Sequence, residues 1–178
     1  SIIKSIAAGN HKIGKIASNL SIKQTEAAQY LQTLIELDIL EKIVPVTETN
    51  PEKSKKGLYI IKDNFIRFWF SFVYPFRNYL EMENTGFVLE KLKNNFIDNH
   101  VSFVFEDICR EYLIDLSAKG VLDFTISKIG KWWDKNTEID IAGISDDGTA
   151  ILLGECKYTQ KKVDVNVYYN LKKKSKKV

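Results

Sequence analysis

Glu138-Ile-Asp-Ile-Ala142 and Ala150-Ile-Leu-Leu-Gly154-Glu155-Cys156-Lys157, separated by the turn sequence Ser145-Asp-Asp-Gly148, decide how this chain is read. Each is a short apolar run of the kind that forms a strand. Ile139, Ile141, Ile151, Leu152 and Leu153 imply a strand buried on both faces. Carboxylates entering such a sheet are costly unless paired or metal-bound. An even loop centred on Asp146 and Asp147 makes Ile144 face Thr149, Asp140 face Leu153 and Glu138 face Glu155. Glu138, Asp140, Glu155 and Lys157 then share one face. Asp140 and Glu155 become diagonal neighbours, about 7 Å apart at Cα, able to converge on one cation. An odd loop without a bulge would part them. The plain alternative is a solvated strand end with an ordinary Glu-x-Lys pair.

A chain of 178 residues with 44% hydrophobic content can build one large domain or two small ones, each with a real core. The formal charge of +3 permits a polyanionic partner without demanding one. Much of the excess sits in Lys172-Lys-Lys-Ser-Lys-Lys177. Cys109 and Cys156 lie in apolar contexts, far apart in sequence, and read as buried thiols of a reducing cytosol with no disulfide. The richest apolar stretch, Phe65 to Tyr79, is broken by Arg67, Pro75 and Arg77 and is too short for a membrane span. No signal peptide is recognisable, so a cytoplasmic location is expected. The chain opens without methionine inside one apparent helix and ends inside another, which suggests a piece of a longer protein.

Residues 1–62 read as three helices and a two-stranded wing, the order of a winged helix-turn-helix. Ser21-Ile-Lys-Gln24 has the form of a capping box opening the third helix, which turns Ala27, Ala28, Leu31, Leu34 and Ile35 inward. Residues 63–85 form an aromatic connecting helix and linker, capped by Asp63, with Phe65, Phe68, Trp69 and Phe72 as core and Pro75 as its end. From 86 to 178 the order is helix, three strands, helix. Val101, Phe105, Ile108, Tyr112 and Leu116 mark the buried side of the first helix, and Gly120 stops it. Of Trp132 and Trp133, one is expected inward and the other half-buried.

Phe68-Trp69 with Tyr74-Pro75, Phe105-Glu106, Gly130-Lys-Trp-Trp133, Glu138-Ile-Asp-Ile141 and Glu155-Cys-Lys157 together resemble a family. It is the C-terminal region of archaeal and bacterial AAA-type ATPases, a winged helix followed by a PD-(D/E)xK nuclease-like domain of unknown function. The resemblance implies an α/β architecture (α+β overall) whose second part is an incomplete restriction-endonuclease-like αβββα core. Its last strand would lie beyond Val178. The resemblance places a metal-binding aspartate at Asp140, a second acid at Glu155, the lysine at Lys157 and a helical glutamate at Glu106. Ile139 stands where the family name has proline. No Walker A motif occurs, so the ATPase would be an upstream domain of the same polypeptide.

The chemistry that follows is Mg²⁺- or Mn²⁺-dependent cleavage of DNA by metal-activated water, with Asp140 and Glu155 as metal ligands. Lys157 would orient the water or stabilise the phosphorane, and Glu106 or Glu138 would complete the shell. Lys23, Gln24, Thr25 and Gln29 on the third helix, and Lys53, Lys55 and Lys56 on the wing, are the nucleic-acid-binding candidates. Glu26 and Glu36 on the same helix weigh against them. The alternative is a non-catalytic module that binds nucleic acid or docks the ATPase. DNA against RNA and homo-oligomer against monomer stay open.

Overall fold

Three helices open the chain in the computed structural model, which describes residues 1–178: α1 (Ile2–Ala7), α2 (Ile13–Leu20) and α3 (Gln24–Glu36). Strands β1 (Leu40–Ile43) and β2 (Leu58–Ile61) follow as an antiparallel pair, with Leu40 opposite Ile61. Ile2, Ile6, Ile16, Leu31, Leu40 and Ile61 form one buried core. They stand at the helical and strand periodicities that bring one face of each element inward. Ala27 is fully buried, but Ala28 is exposed, one step round the helix from the inward stripe.

The expected capping box does not form. Ser21 instead closes α2 in the left-handed conformation (φ 55°), and Ile22 donates its N–H to Ala17 O at 3.1 Å. That is a Schellman ending, and it uses Ser21 before α3 begins at Gln24, which has no side-chain cap. Glycine suits this conformation without the Cβ penalty. Ser21→Gly is therefore expected to raise unfolding stability by up to about 1 kcal/mol in a denaturant titration, where loss of a true capping serine would lower it.

The chain divides into two compact units, Ser1–Ile43 with Lys55–His100, and Val44–Ser54 with Val101–Val178. The expected segments 1–62, 63–85 and 86–178 do not coincide with these units. The tip of the supposed wing belongs to the second, because Val46 donates its N–H to Lys131 O at 2.9 Å.

The remainder of the first unit is α4 (Asn64–Phe68), a π turn (Trp69–Val73), a 3-10 turn holding Pro75, α5 (Arg77–Glu81), α6 (Thr85–Phe96) and most of a second π turn (Ile97–Val101). Asp63 caps α4 as expected, accepting from Ile66 N at 2.7 Å. Phe72 is buried and, with Phe68 and Phe96, surrounds His100, whose pKa burial draws below its usual value. Phe65 and Trp69 depart from the core expectation. They are 69% and 43% exposed, because this i, i+4 pair lies on the other side of the helix from Phe68 and Phe72.

In the second unit α7 (Ser102–Ala118) precedes an antiparallel sheet of β3 (Ile126–Trp133), β4 (Glu138–Ser145) and β5 (Ile151–Gly154), in that order, and α8 (Val165–Lys174) follows. Trp132, Ile139 and Ala142 are the buried centre, packed by Val46, Leu153 and Leu171, while Trp133 is half-buried. The expected inner side of α7 holds at Val101, Phe105 and Leu116, which are partly covered, and fails at two positions. Ile108 and Tyr112 are exposed, whereas Glu106, Cys109 and Leu113 are partly covered and Ser117 is buried. Ser117 Oγ accepts from Ile126 N at 2.8 Å and fixes the rotation of the helix. No helix is long and apolar enough to cross a membrane.

The β4–β5 register also moves. Ile144 pairs with Ile151, not Thr149, because Ser145–Ala150 forms a self-bonded turn two residues longer than expected. Asp147 accepts from Ser145 Oγ (2.6 Å) and Thr149 N (3.0 Å), and Gly148 (φ 71°) supplies the left-handed residue. The Ser145 and Thr149 hydrogen bonds hold the Asp147 carboxyl down at about 2. Its contribution is thus present above its ordinary pKa and fades as pH falls through about 2. In an acid series of melting curves, Asp147→Ala is expected to melt lower at neutral pH and to lose less than the parent between about pH 4 and 2.

Candidate active site

A β-bulge positions Asp140. Between the pairs Gly130↔Ala142 and Trp132↔Ile139, β3 contributes one residue, Lys131, and β4 contributes two, Asp140 and Ile141. Bulges of this kind re-aim a side chain out of the regular alternation. Here the Asp140 carboxylate reaches the end of β5 and accepts from Cys156 N at 2.8 Å. The ladder ends at Ile141↔Gly154, one step short of where Asp140 would face Glu155.

Opposite the bulge stands Lys131, which the sequence reading passed over. Its ammonium is 2.5 Å from Glu106 on α7 and 3.3 Å from Glu138, and it lies 5.6 Å from the Phe103 ring centroid. The Lys131 and Glu106 side chains are only 17% and 13% exposed. Burial pushes the Glu106 carboxyl above its usual range; Lys131 opposes this, and the charges of Asp140 and Glu138 add to it. Burial also works against the Lys131 ammonium, but hydrogen bonding to Glu106 and the charges of Glu106 and Glu138 outweigh it and raise its pKa. Glu106 is therefore a carboxyl that holds a proton more readily than most, and Lys131 one that rarely yields one.

Glu155, whose side chain is 8% exposed, lies 3.4 Å from the Lys157 ammonium and makes a closer ion pair with Lys174 of α8. The Cys109 and Cys156 thiols, distant in sequence, lie beside each other. Burial, with Cys109 beside it, pushes Cys156 up to about 12 and keeps it a thiol. Both cysteines are half-buried, less covered than expected, and free.

The sequence candidates thus fall into two groups. Glu106 and Glu138 meet Lys131, with the Asp140 charge felt at Glu106; Lys157 and Lys174 meet Glu155. No group of three or more His, Cys, Asp or Glu side chains is placed to hold a metal ion. Magnesium takes one or two carboxylates and keeps several waters, so Asp140 and Glu155 fit a hydrated ion by donor chemistry. The Lys174 ammonium is already seated on the nearly buried Glu155 carboxylate and neutralises it.

Lys23, Gln24, Thr25 and Gln29 are exposed on α3. Lys53, Lys55 and Lys56 are exposed too, with Lys53 in the second unit and the other two in the first. Lys131 had one available signal, being the lone cation between Gly130 and the aromatic pair of an apolar strand. Lys174 had none within the lysine run.

What these elements define is a mixed α/β protein with two small antiparallel sheets and a polar cluster of acids and lysines at the end of the second. Residues 69–173 match DUF234, described as archaeal and bacterial proteins of unknown function, and the chain belongs to that family. It is 39% identical over 177 residues to an uncharacterized protein of Methanocaldococcus jannaschii, a match that covers 98% of this chain and 39% of that protein. The chain thus spans about two fifths of the length of that relative. No solved structure matches it.

Proposed function

We propose that the second unit is a nuclease-like module of PD-(D/E)xK type that hydrolyses phosphodiester bonds, with DNA as the substrate class. The observation that carries this reading is the bulge at Asp140–Ile141, which turns one acid toward the β5 end that bears Glu155 and Lys157. Strand irregularities of this sort cost pairing energy and cluster beside active sites. Asp140 and Glu155 would hold Mg²⁺ or Mn²⁺. Such an ion, when bound, supplies a lowered water pKa and charge neutralisation on the phosphate. Lys157, half-exposed beside Glu155, offers its ammonium to a phosphate oxygen. Glu106 stands near Asp140 with its carboxyl pKa raised by burial, and Lys131 holds it in place. The helix–helix–helix–strand–strand order of the first unit suits a winged helix presenting Lys23, Gln24, Thr25 and Gln29 to DNA. An ATPase module of the same polypeptide would be the partner.

A second reading is a non-catalytic module that binds nucleic acid or docks a protein. It is favoured by Glu106, Asp140 and Glu155 each having a lysine or N–H partner in place. Incubating the full chain with supercoiled plasmid and Mg²⁺ or Mn²⁺ separates the two. Nicking that disappears in Asp140→Asn and in Glu155→Gln is the expected outcome. DNA binding with a steep salt slope and no nicking, indifferent to both substitutions, would replace the nuclease by the binding module.

A further inference from the structure

Glu155 has two lysines but needs only one. Its side chain is nearly buried, so its charge has to be neutralised within the protein. Lys157 reaches it at 3.4 Å from a half-exposed position that leaves it able to turn outward. Lys174 lies closer and is less exposed. Leu171, three residues before Lys174 on α8, packs on the Trp132–Ile139–Ala142 core. The turn beyond is tied down as well, because Lys177 Nζ hydrogen-bonds Thr137 Oγ1 at 2.5 Å and lies 3.9 Å from Asp134. Lys174 is thus carried to Glu155 by a helix end anchored on both sides.

From this we infer that Lys174 is the resident counter-ion of Glu155, competing with a divalent cation for that carboxylate and passing to a phosphodiester oxygen when substrate arrives. The inference rests on the nuclease reading. A lysine so placed makes the empty site self-neutralised, and an approaching phosphate offers its ammonium a second anion as the ion takes over Glu155. Metal and nucleic acid then favour each other's binding, because each relieves the same ion pair. Lys174 thus neutralises Glu155 in the empty site and the phosphate in the loaded one.

The test is Mn²⁺ binding to the full chain, followed by electron paramagnetic resonance, alongside binding of a short DNA duplex. Lys174→Met is expected to tighten Mn²⁺ binding at least about tenfold and to weaken duplex binding in the presence of Mn²⁺. Lys174→Arg, which keeps the charge, should behave as the parent. The double variant Lys174→Met with Glu155→Gln should fold without the ion pair and show no gain in Mn²⁺ affinity, so a stability loss in Lys174→Met cannot mimic the effect. Mn²⁺ binding that needs Asp140 and Glu155 but is the same in Lys174→Met overturns the role of Lys174 and leaves the nuclease reading standing. Absence of Mn²⁺ binding in the parent and in Lys174→Met alike overturns both.

Discussion

Replacing Lys131 with methionine is expected to cost about 3–5 kcal/mol of unfolding stability, the usual result of removing one partner from a buried ion pair. Methionine fills much the same volume, so the loss is electrostatic. Glu106 would remain almost wholly covered, close to the like charges of Asp140 and Glu138, with nothing to neutralise it. Urea unfolding followed by far-UV circular dichroism should show a lower midpoint at unchanged slope. Adding Glu106→Gln should restore most of the loss, since an amide needs no counter-ion. The pH dependence has a definite sign. Burial raises the folded-state pKa of Glu106, so its favourable contribution is complete below its ordinary value and disappears as pH rises through the folded one. Lys131→Met raises that pKa further, so the damage should shrink on acidification. A loss below about 1 kcal/mol, typical of exposed pairs, would mean that the Glu106–Lys131 pair is solvated in solution.

Asp140 separates chemistry from architecture. Asp140→Asn keeps an oxygen that can accept from Cys156 N but removes the charge, whereas Asp140→Ala removes both. Under the proposed nuclease function, metal-dependent nicking is expected to fall by on the order of 10²–10⁴ in each, the loss of a proposed metal ligand being worth several kcal/mol of transition-state stabilisation. Stability should split them. Alanine leaves the Cys156 N–H without its acceptor and should cost about 1–3 kcal/mol more than asparagine in the same urea titration. Parental nicking by Asp140→Asn would reduce Asp140 to a hydrogen-bonding device for the end of β5.

Much of the local structure could be read from the residues because it is governed by short-range rules. Asp63 caps its helix and Gly120 (φ 67°) stops another, and Trp132 and Trp133 divide as alternation and size suggest. What could not be read depends on contacts distant in sequence or on one-residue phase. Ser21 satisfies the pattern of an N-cap and the needs of a C-cap equally well, and the backbone of α2 decides for the second. On α7 the apolar run Phe105, Ile108, Tyr112 outranks Glu106 and Cys109 by hydrophobicity, yet Lys131 and Cys156 reward the polar stripe. The turn at Asp147 hid two residues inside its own hydrogen bonds, which shifted the β4–β5 register while keeping its parity. The bulge at Asp140 has no glycine or proline among its own two residues, and its one sequence signal is Gly130 on the facing strand.

Val46 reaches across from the early part of the chain to the backbone of Lys131, and Gly130 lies against its side chain. A recombinant piece beginning at residue 63 or 86 would therefore lack the strip that shields the outer margin of β3. Bare strand margins recruit other chains, so such a piece invites precipitation or spurious pairing. Anyone dissecting this protein biochemically should keep residues 44–54 covalently present, even when only the later half is of interest.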